Sequence, residues 1–546
     1  MSSSSHGARS RVTVIAGIGA ISILGTVLAG CSSDSGDSAG ASGTAQPGGT
    51  LRYGLSTAPT CADPGQAGTN QTVYVTRTVV DSLTDQSTDT GEIKPWLAKS
   101  WEISPDASSF TFTLRDDVTF SDGTPLTADS VKKTFDSVKD LGPNASLAKS
   151  YLSDYTGTDV VDSHTAKVNF SGPNVQFLQA TSTPQLGILA DSTTALTSDQ
   201  RCAGAAVVAS GPFTYSDWQQ DKSVSIKKRA GYTWGSEVFG HQGEAYLDGV
   251  DFTVVPESGV RAGSLASGQL DAVSDALPQD AAQIEGAGGR ILTRPNPGIS
   301  FFFQPNVSRG VLADQAVRQA IIPAINRQEL VDTVLDPSFF PATSPLAHTT
   351  PLYKDQSDIV TFDADKSAKL LDAAGWTRTG DGVREKDGQK LTFSVTFSPV
   401  FAGNQAILEL VQQQLRKVGV DLQLNLVSNG ELSEKQNSGD YDAVYYNSTR
   451  ADADILRATF GLDGRNLNKR AADPELDAIL TKQLATTDNT ERGALIDRAQ
   501  HLIADRGLSI PTIELSQAVG AASSVQDLKF EASSRLQFFD AWLSGK

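Results

Sequence analysis

The stretch that decides the fold runs from Ile93 to Val138. It contains Lys94-Pro95-Trp96-Leu97-Ala98-Lys99-Ser100-Trp101, then Ser104-Pro105-Asp106, then Phe110-Thr111-Phe112-Thr113-Leu114-Arg115, and finally Val118-Thr119-Phe120-Ser121-Asp122-Gly123-Thr124-Pro125-Leu126-Thr127-Ala128-Asp129-Ser130-Val131. Apolar residues alternate with threonine from Phe110 to Leu114, which predicts a strand with one buried face. Asp122-Gly123 reads as a turn, and a helix is predicted to follow, capped by Thr127 or Asp129.

Outward from this segment the chain alternates strands and helices. Gly49 to Leu55 predicts a first strand, Gln71 to Leu83 a helix, and Asp159 to Phe170 a hairpin. Gly249 to Pro256 is predicted to be a strand that ends at Pro256, because proline cannot continue the hydrogen-bonded ladder. Asp314 to Leu330 carries a helical face that Pro323 should bend. The clearest βαβ unit comes later. Leu391, Phe393, Val395 and Phe397 alternate with polar residues, Ile407 to Val418 recur at helical spacing, and Val420, Leu422, Leu424 and Leu426 alternate again. Two strands so joined should lie parallel, and ligands of such sheets gather outside the carboxyl ends of the strands.

The order Pro-Trp-Leu-Ala, Ser-Trp, Ser-Pro-Asp, Thr-Phe-x-Leu-Arg, Val-x-Phe and Asp-Gly-x-Pro-x-Thr-Ala-Asp, together with Gly49-Thr50-Leu51 and Ser210-Gly211-Pro212-Phe213, resembles the family 5 extracellular solute-binding proteins. These are the receptors of peptide, nickel and opine ABC importers. The resemblance implies an α/β fold of two lobes, periplasmic-binding-protein-like (type II, large peptide-receptor class), with hinge strands and an extra subdomain in the first lobe at about 66–200. It places lobe I at 49–256 plus 510–546 and lobe II at 257–509. It also implies a monomer that closes on a ligand, most simply a short peptide, and presents it to permease subunits. A sensor or chaperone role, or a non-peptide solute such as a sugar, an opine or a metal chelate, is the alternative. Cys61 and Ala62 stand where the family commonly has an apolar residue, and Asn326-Arg327 stands for its Asp-Arg.

Within lobe II the strand at Tyr441 to Tyr446 leads into Asn447-Ser448-Thr449-Arg450-Ala451-Asp452. In peptide-binding members an Asp of this loop receives the ligand's ammonium group, and Asp452 matches it. Arg450 could face a ligand carboxylate, and Tyr446 and Asn447 complete the candidate ligand set. The competing reading is that Asp452 caps the next helix with Arg450 salt-bridged beside it. The family's Trp before that Asp is replaced by Ser448 and Thr449, which leaves the aromatic wall of the site unassigned.

The N-terminus sets the compartment. Arg9 and Arg11, the apolar run Val12 to Leu28 and the lipobox Leu28-Ala29-Gly30-Cys31 predict a signal peptide over 1–30 and lipidation of Cys31. A Ser/Gly-rich tether over 31–48 follows. The body should then sit on the outer face of the cytoplasmic membrane, held through its lipid. Of the 3 cysteines, Cys61 and Cys202 remain, and in an oxidising compartment they are expected to pair.

The formal net charge of -18 argues against a nucleic-acid partner. Ser130-Val131-Lys132-Lys133 and Ser146-Leu147-Ala148-Lys149 match Ser-x-x-Lys, but neither Ser-Asp-Asn nor Lys-Thr-Gly accompanies them, so no hydrolase is read. No Gly-x-x-x-x-Gly-Lys loop occurs, and His164, His241, His348 and His501 are scattered, so neither a cofactor nor a metal is expected.

Overall fold

The computed structural model describes residues 44–545 apart from 336, 399, 400 and 402. Residues 1–43, on which the expected signal peptide, the lipidation of Cys31 and most of the expected tether fall, lie outside the described residues.

Two sheets organise the body. The first has seven strands in the order Arg290–Pro295, Ser516–Ala521, Ala272–Val273, Thr50–Leu55, Gly249–Val254, Ser223–Lys228 and Phe213–Gln219. Thr50–Leu55 pairs in parallel with both Gly249–Val254 and Ala272–Val273. The second has six strands, Phe340–Pro341, Ile510–Glu514, Gly298–Pro305, Ala443–Thr449, Thr392–Phe397 and Asp421–Leu426. Thr392–Phe397 runs parallel to both of its neighbours, as the βαβ pattern requires, with the helix Asn404–Lys417 between it and Asp421–Leu426. Leu391, Val395 and Leu415 pack on one face of this sheet, and Phe302, Val444 and Leu456 on the other. Burial on both faces explains the unbroken burial of Gly298–Pro305.

The region that decided the fold forms a four-stranded antiparallel sheet, Ala98–Ile103, Ser109–Leu114, Thr165–Phe170 and Tyr155–Asp162. Phe110, Phe112 and Leu114 are fully buried, while the threonines between them are only partly so. Thr127 is the cap of the helix Ala128–Val138: its side chain accepts from the Ser130 amide, and the Ser130 hydroxyl returns a bond from the Thr127 amide. This subdomain shares one continuous apolar core with the first sheet.

The crossing between the sheets differs from the sequence expectation. The strand Gly249–Val254 does stop before Pro256, but the helix Ser258–Ala266 returns the chain to Ala272–Val273 in the same sheet. Proline ends a strand without specifying which sheet the next one joins. The chain passes to the second sheet between Pro295 and Gly298, and it returns between Glu514 and Ser516. Ile510–Glu514 is thus a strand of the second sheet, and the lobe borders read at 256 and 510 do not coincide with the crossings. Gly298 has φ 112°, and a Cβ there would come within 2.2 Å of the Ser448 carbonyl oxygen, so only glycine fits this crossing. The two crossings are tied together, with the Asn296 amide donating to the Leu515 carbonyl (2.7 Å) and the Gln517 side chain donating to that of Asn296 (3.0 Å).

Pro323 does more than bend its helix. It separates Gln315–Ile321 from Arg327–Val334 by a short 3₁₀ turn, and Asn326 caps the second segment by accepting from the Glu329 amide. The buried Arg327 beside it donates only to carbonyls, those of Ile322, Ile325, Val360 and Pro511. Burial lowers its pKa to about 9. Cys61 and Cys202, 141 residues apart, form a disulfide.

Candidate functional site: a cleft between the two sheets

The carboxyl ends of the parallel strands of the first sheet, together with the end of the helix Arg327–Val334 and the loop after Thr392–Phe397, line a cavity of about 720 Å³. Its first-sheet wall follows directly from strand ends: Ser56 and Thr57 after Leu55, Pro256 and Glu257 after Val254, Asp275 and Ala276 after Val273, and Ser516 and Gln517 at the return crossing. Its second-sheet wall is apolar, with Val334, Leu335, Phe339, Phe401 and Leu515. The cavity therefore offers hydrogen-bonding groups on one side and hydrocarbon on the other, inside the size range of small-molecule sites.

The polar wall is braced by Arg261. Its guanidinium donates to the carbonyls of Val255, Pro256, Ser274 and Asp275, gathering the ends of two strands. Burial lowers its pKa. Asp275 has φ 49°, a left-handed conformation uncommon outside glycine. Its Oδ2 accepts from the Ser56 hydroxyl and from Gln71 Nε2 at 2.6 Å. Deeper in, Gln517 Oε1 accepts from Asn70 (3.1 Å) and from the Tyr74 hydroxyl (2.9 Å), and Asn296 donates to the Thr449 hydroxyl (3.0 Å). This chain of amides and hydroxyls links the first sheet to the start of the 450–452 loop.

That loop holds the residues selected from the sequence. Asp452 receives a bidentate pair from Arg492, with Nη1 at 2.9 Å and Nη2 at 2.6 Å, and its Oδ1 also accepts from the Asp454 amide. Both side chains are more than nine-tenths buried. Burial alone would push the Asp452 carboxyl up, but the Arg492 charge and hydrogen bonds more than reverse this and hold it below the usual carboxylate range. Arg450 faces the subdomain, where it donates to Gln176 Oε1 and to the Ser150 hydroxyl, both at 3.1 Å, and lies over the Tyr151 ring. Its nearest acid is Asp454, at 3.9 Å. The helix Ile455–Phe460 has Asp454 at its N-cap with no side-chain cap, so Asp452 binds the amide of the cap residue and does not itself cap the helix. Tyr446 is turned into the core, donating to Gln304 and packing on Phe302. Asn447 is half-buried on the same strand.

The structure thus brings Arg450 and Asp452 to the junction of the lobes, but none of Tyr446, Asn447, Arg450 and Asp452 lines the cavity. Sequence reading missed Asp275, Gln517, Arg261 and the two phenylalanines. The first stands two residues past the strand Ala272–Val273, and ligand groups sit just past such ends. Phe339 and Phe401 lie in loops with no periodic signal. Trp234 is buried and donates to Asp81.

A family model described as bacterial extracellular solute-binding proteins, family 5, middle region, matches residues 92–462. Among curated proteins, the nickel-binding periplasmic protein of Escherichia coli K12 is 24% identical over 79% of this chain and 82% of its own length. A probable D,D-dipeptide-binding periplasmic protein of the same organism is 26% identical over 83% and 86%. Among solved structures, NikA from Brucella suis in complex with Fe(III)-EDTA superposes with a TM-score of 0.78 at 23% identity, covering 91% of this chain and all of that one. The oligopeptide-binding protein AppA from Bacillus subtilis, in complex with a nonapeptide, gives 0.71 at 20% identity, covering 92% and 100%. With two sheets, two crossings and a cleft at their carboxyl edges, this chain is a two-lobed α/β protein that belongs to the family 5 bacterial extracellular solute-binding proteins.

Proposed function

We propose that this chain captures a short peptide in the cleft between its lobes and delivers it to the permease of an ABC importer. The observation that carries the reading is the two-sided cavity of about 720 Å³, polar on the first sheet and apolar on the second. A peptide matches it because amide groups and apolar side chains alternate along such a ligand. Contacts from one ligand to both walls favour the closed arrangement over an open one, since only the closed form makes them all. That differential is what a permease can recognise. The names of relatives that bind dipeptides and oligopeptides support the same ligand class.

Lipidation of Cys31 would keep the receptor at the outer face of the membrane, and a monomer suffices because both walls come from one chain. The test is native mass spectrometry of freshly isolated protein, followed by calorimetric titration with di- and tripeptides. A bound peptide released on denaturation is the expected result. A sugar or a metal chelate in its place would reject the peptide reading. Cys31→Ala should move the protein from the membrane fraction to the medium, and unchanged retention would reject the anchor.

A further inference from the structure

We propose that Asp275 receives the ligand's ammonium group, so that the solute is an amine whose cation binds the first sheet while its apolar part lies on Leu335, Phe339 and Phe401. This deepens the receptor reading above and rests on it.

The argument begins with where negative charge is available. The carboxylate that position in the chain suggests for an ammonium, Asp452, already has Arg492 across both oxygens. A ligand cation there would have to displace a bidentate, buried guanidinium, and so exchange one ion pair for another with nothing gained. Asp275 differs on each count. It lines the cavity, and its partners are neutral: the Ser56 hydroxyl and the Gln71 amide, both on Oδ2. No basic side chain forms an ion pair with it among the described residues. Arg261, the cation nearest in the wall, places its donors on four backbone carbonyls, including that of Asp275 itself. Glu257, exposed at the rim, adds a second negative charge, so the cavity wall carries an excess of one anion over cations.

The backbone supports the same reading. Asp275 is held at φ 49° at the carboxyl end of Ala272–Val273, a conformation that costs a side-chain-bearing residue free energy and persists only where its surroundings impose it. This places Asp275 two residues past the strand end, among the residues that line the cavity. An ammonium brings three donors and a compensating charge. Oδ1 of Asp275 accepts no bond among the described residues, and the Ser56 hydroxyl lies beside it. Across the cavity the apolar wall suits a hydrophobic side chain adjacent to that ammonium, as at the free N-terminus of a short peptide.

The experiment compares free and N-acetylated forms of the same apolar dipeptides, with phenethylamine and Fe(III)-EDTA as non-peptide probes, by calorimetry on the wild type and on Asp275→Asn. Asparagine tolerates the left-handed backbone and can still accept from Ser56, so the wall is preserved. The wild type should prefer the free peptide by about 10-fold to 100-fold, and Asp275→Asn should bring that ratio close to one. Equal binding of free and acetylated peptides, or a ratio unchanged in Asp275→Asn, overturns the inference while leaving the peptide reading in place. Binding of phenethylamine that depends on Asp275, with no peptide bound, upholds the inference and rejects the peptide reading. Binding of the anionic chelate alone, or of no probe, overturns both. If Asp275→Asn fails to fold, the wild-type preference for free over acetylated peptide decides the matter.

Discussion

Replacing Arg492 by methionine tests whether the Asp452–Arg492 pair is a structural unit of lobe II. The substitution roughly keeps the volume but leaves the buried Asp452 carboxylate with only the Asp454 amide and the more distant Arg450 to stabilise it. It also strips Gln483 of two donors. Removing one member of a buried pair costs about 3–5 kcal/mol. Unfolding entropy is about 2.1 cal/mol/K per residue near 60 °C, so a body of about 500 residues gives about 1 kcal/mol/K, and Tm should fall about 3–5 °C if it unfolds as one unit. If lobe II unfolds alone, the drop roughly doubles. Scanning calorimetry reads either case. The sign with pH is fixed as well. In the wild type the folded carboxyl lies below its ordinary value, so its contribution is complete above about pH 4 and is lost as pH falls through the folded value. In Arg492→Met burial dominates, the folded value rises, and the variant gains stability on acidification. The gap between the two proteins should therefore narrow from pH 7 to about pH 4. Asp452→Leu combined with Arg492→Met should recover most of the loss. A Tm drop under about 1 °C, or a gap independent of pH, refutes the reasoning.

Other perturbations reach other parts of the fold. Cys61→Ser opens a loop of 141 residues, and the chain-entropy relation gives a loss of about 5 kcal/mol, to be read by thermal unfolding under non-reducing conditions; an unchanged Tm would sink it. Gly298→Ala sets a Cβ 2.2 Å from the Ser448 oxygen and 2.7 Å from the Arg450 nitrogen at a crossing with φ 112°, so it should cost about 3 kcal/mol or more and lower soluble yield; a normal Tm would contradict the crossing as described. His348 donates to the buried Glu514 at the end of the last second-sheet strand (2.5 Å), and that bond, opposed in part by burial, raises its pKa above the ordinary 6.5. Its stabilisation is complete below about pH 6.5 and fades as pH rises through the folded value. Wild-type Tm should thus fall relative to His348→Gln between about pH 6.5 and pH 8, and parallel curves would count against it.

What could be read from the chain without coordinates was whatever leaves a local trace. The alternation of Phe110, Phe112 and Leu114 and the strand–helix–strand pattern of Leu391 to Leu426 survive as built, because burial of one face constrains every second or every third to fourth residue within a single element. The crossing left no such trace. Ala272–Val273 is two residues long, too short to show a period, yet it keeps the chain in the first sheet and moves the passage between sheets to Pro295–Gly298. Asn326 shows a middle case: the loss of the family's acid was visible, but only the geometry shows that asparagine supplies the cap while Nε and Nη1 of Arg327 donate to four carbonyls.

The candidate site carries this distinction into function. Asp452 was selected by its position in a motif, and position alone does not say which cation faces it. That depends on Arg492, 40 residues further on and on a different helix, a pairing that no spacing rule marks. Once a chain places its own guanidinium over a carboxylate, that charge is unavailable to a ligand, however well the surrounding residues match. In the proposal above, the charge comes instead from a strand end that lines the cavity. Asp275 is a cavity carboxylate whose side-chain hydrogen-bond partners, Ser56 and Gln71, are neutral. Under the proposal above, the choice of carboxylate in this chain, and with it the orientation of the bound solute, is set by Arg492, an arginine outside the motif.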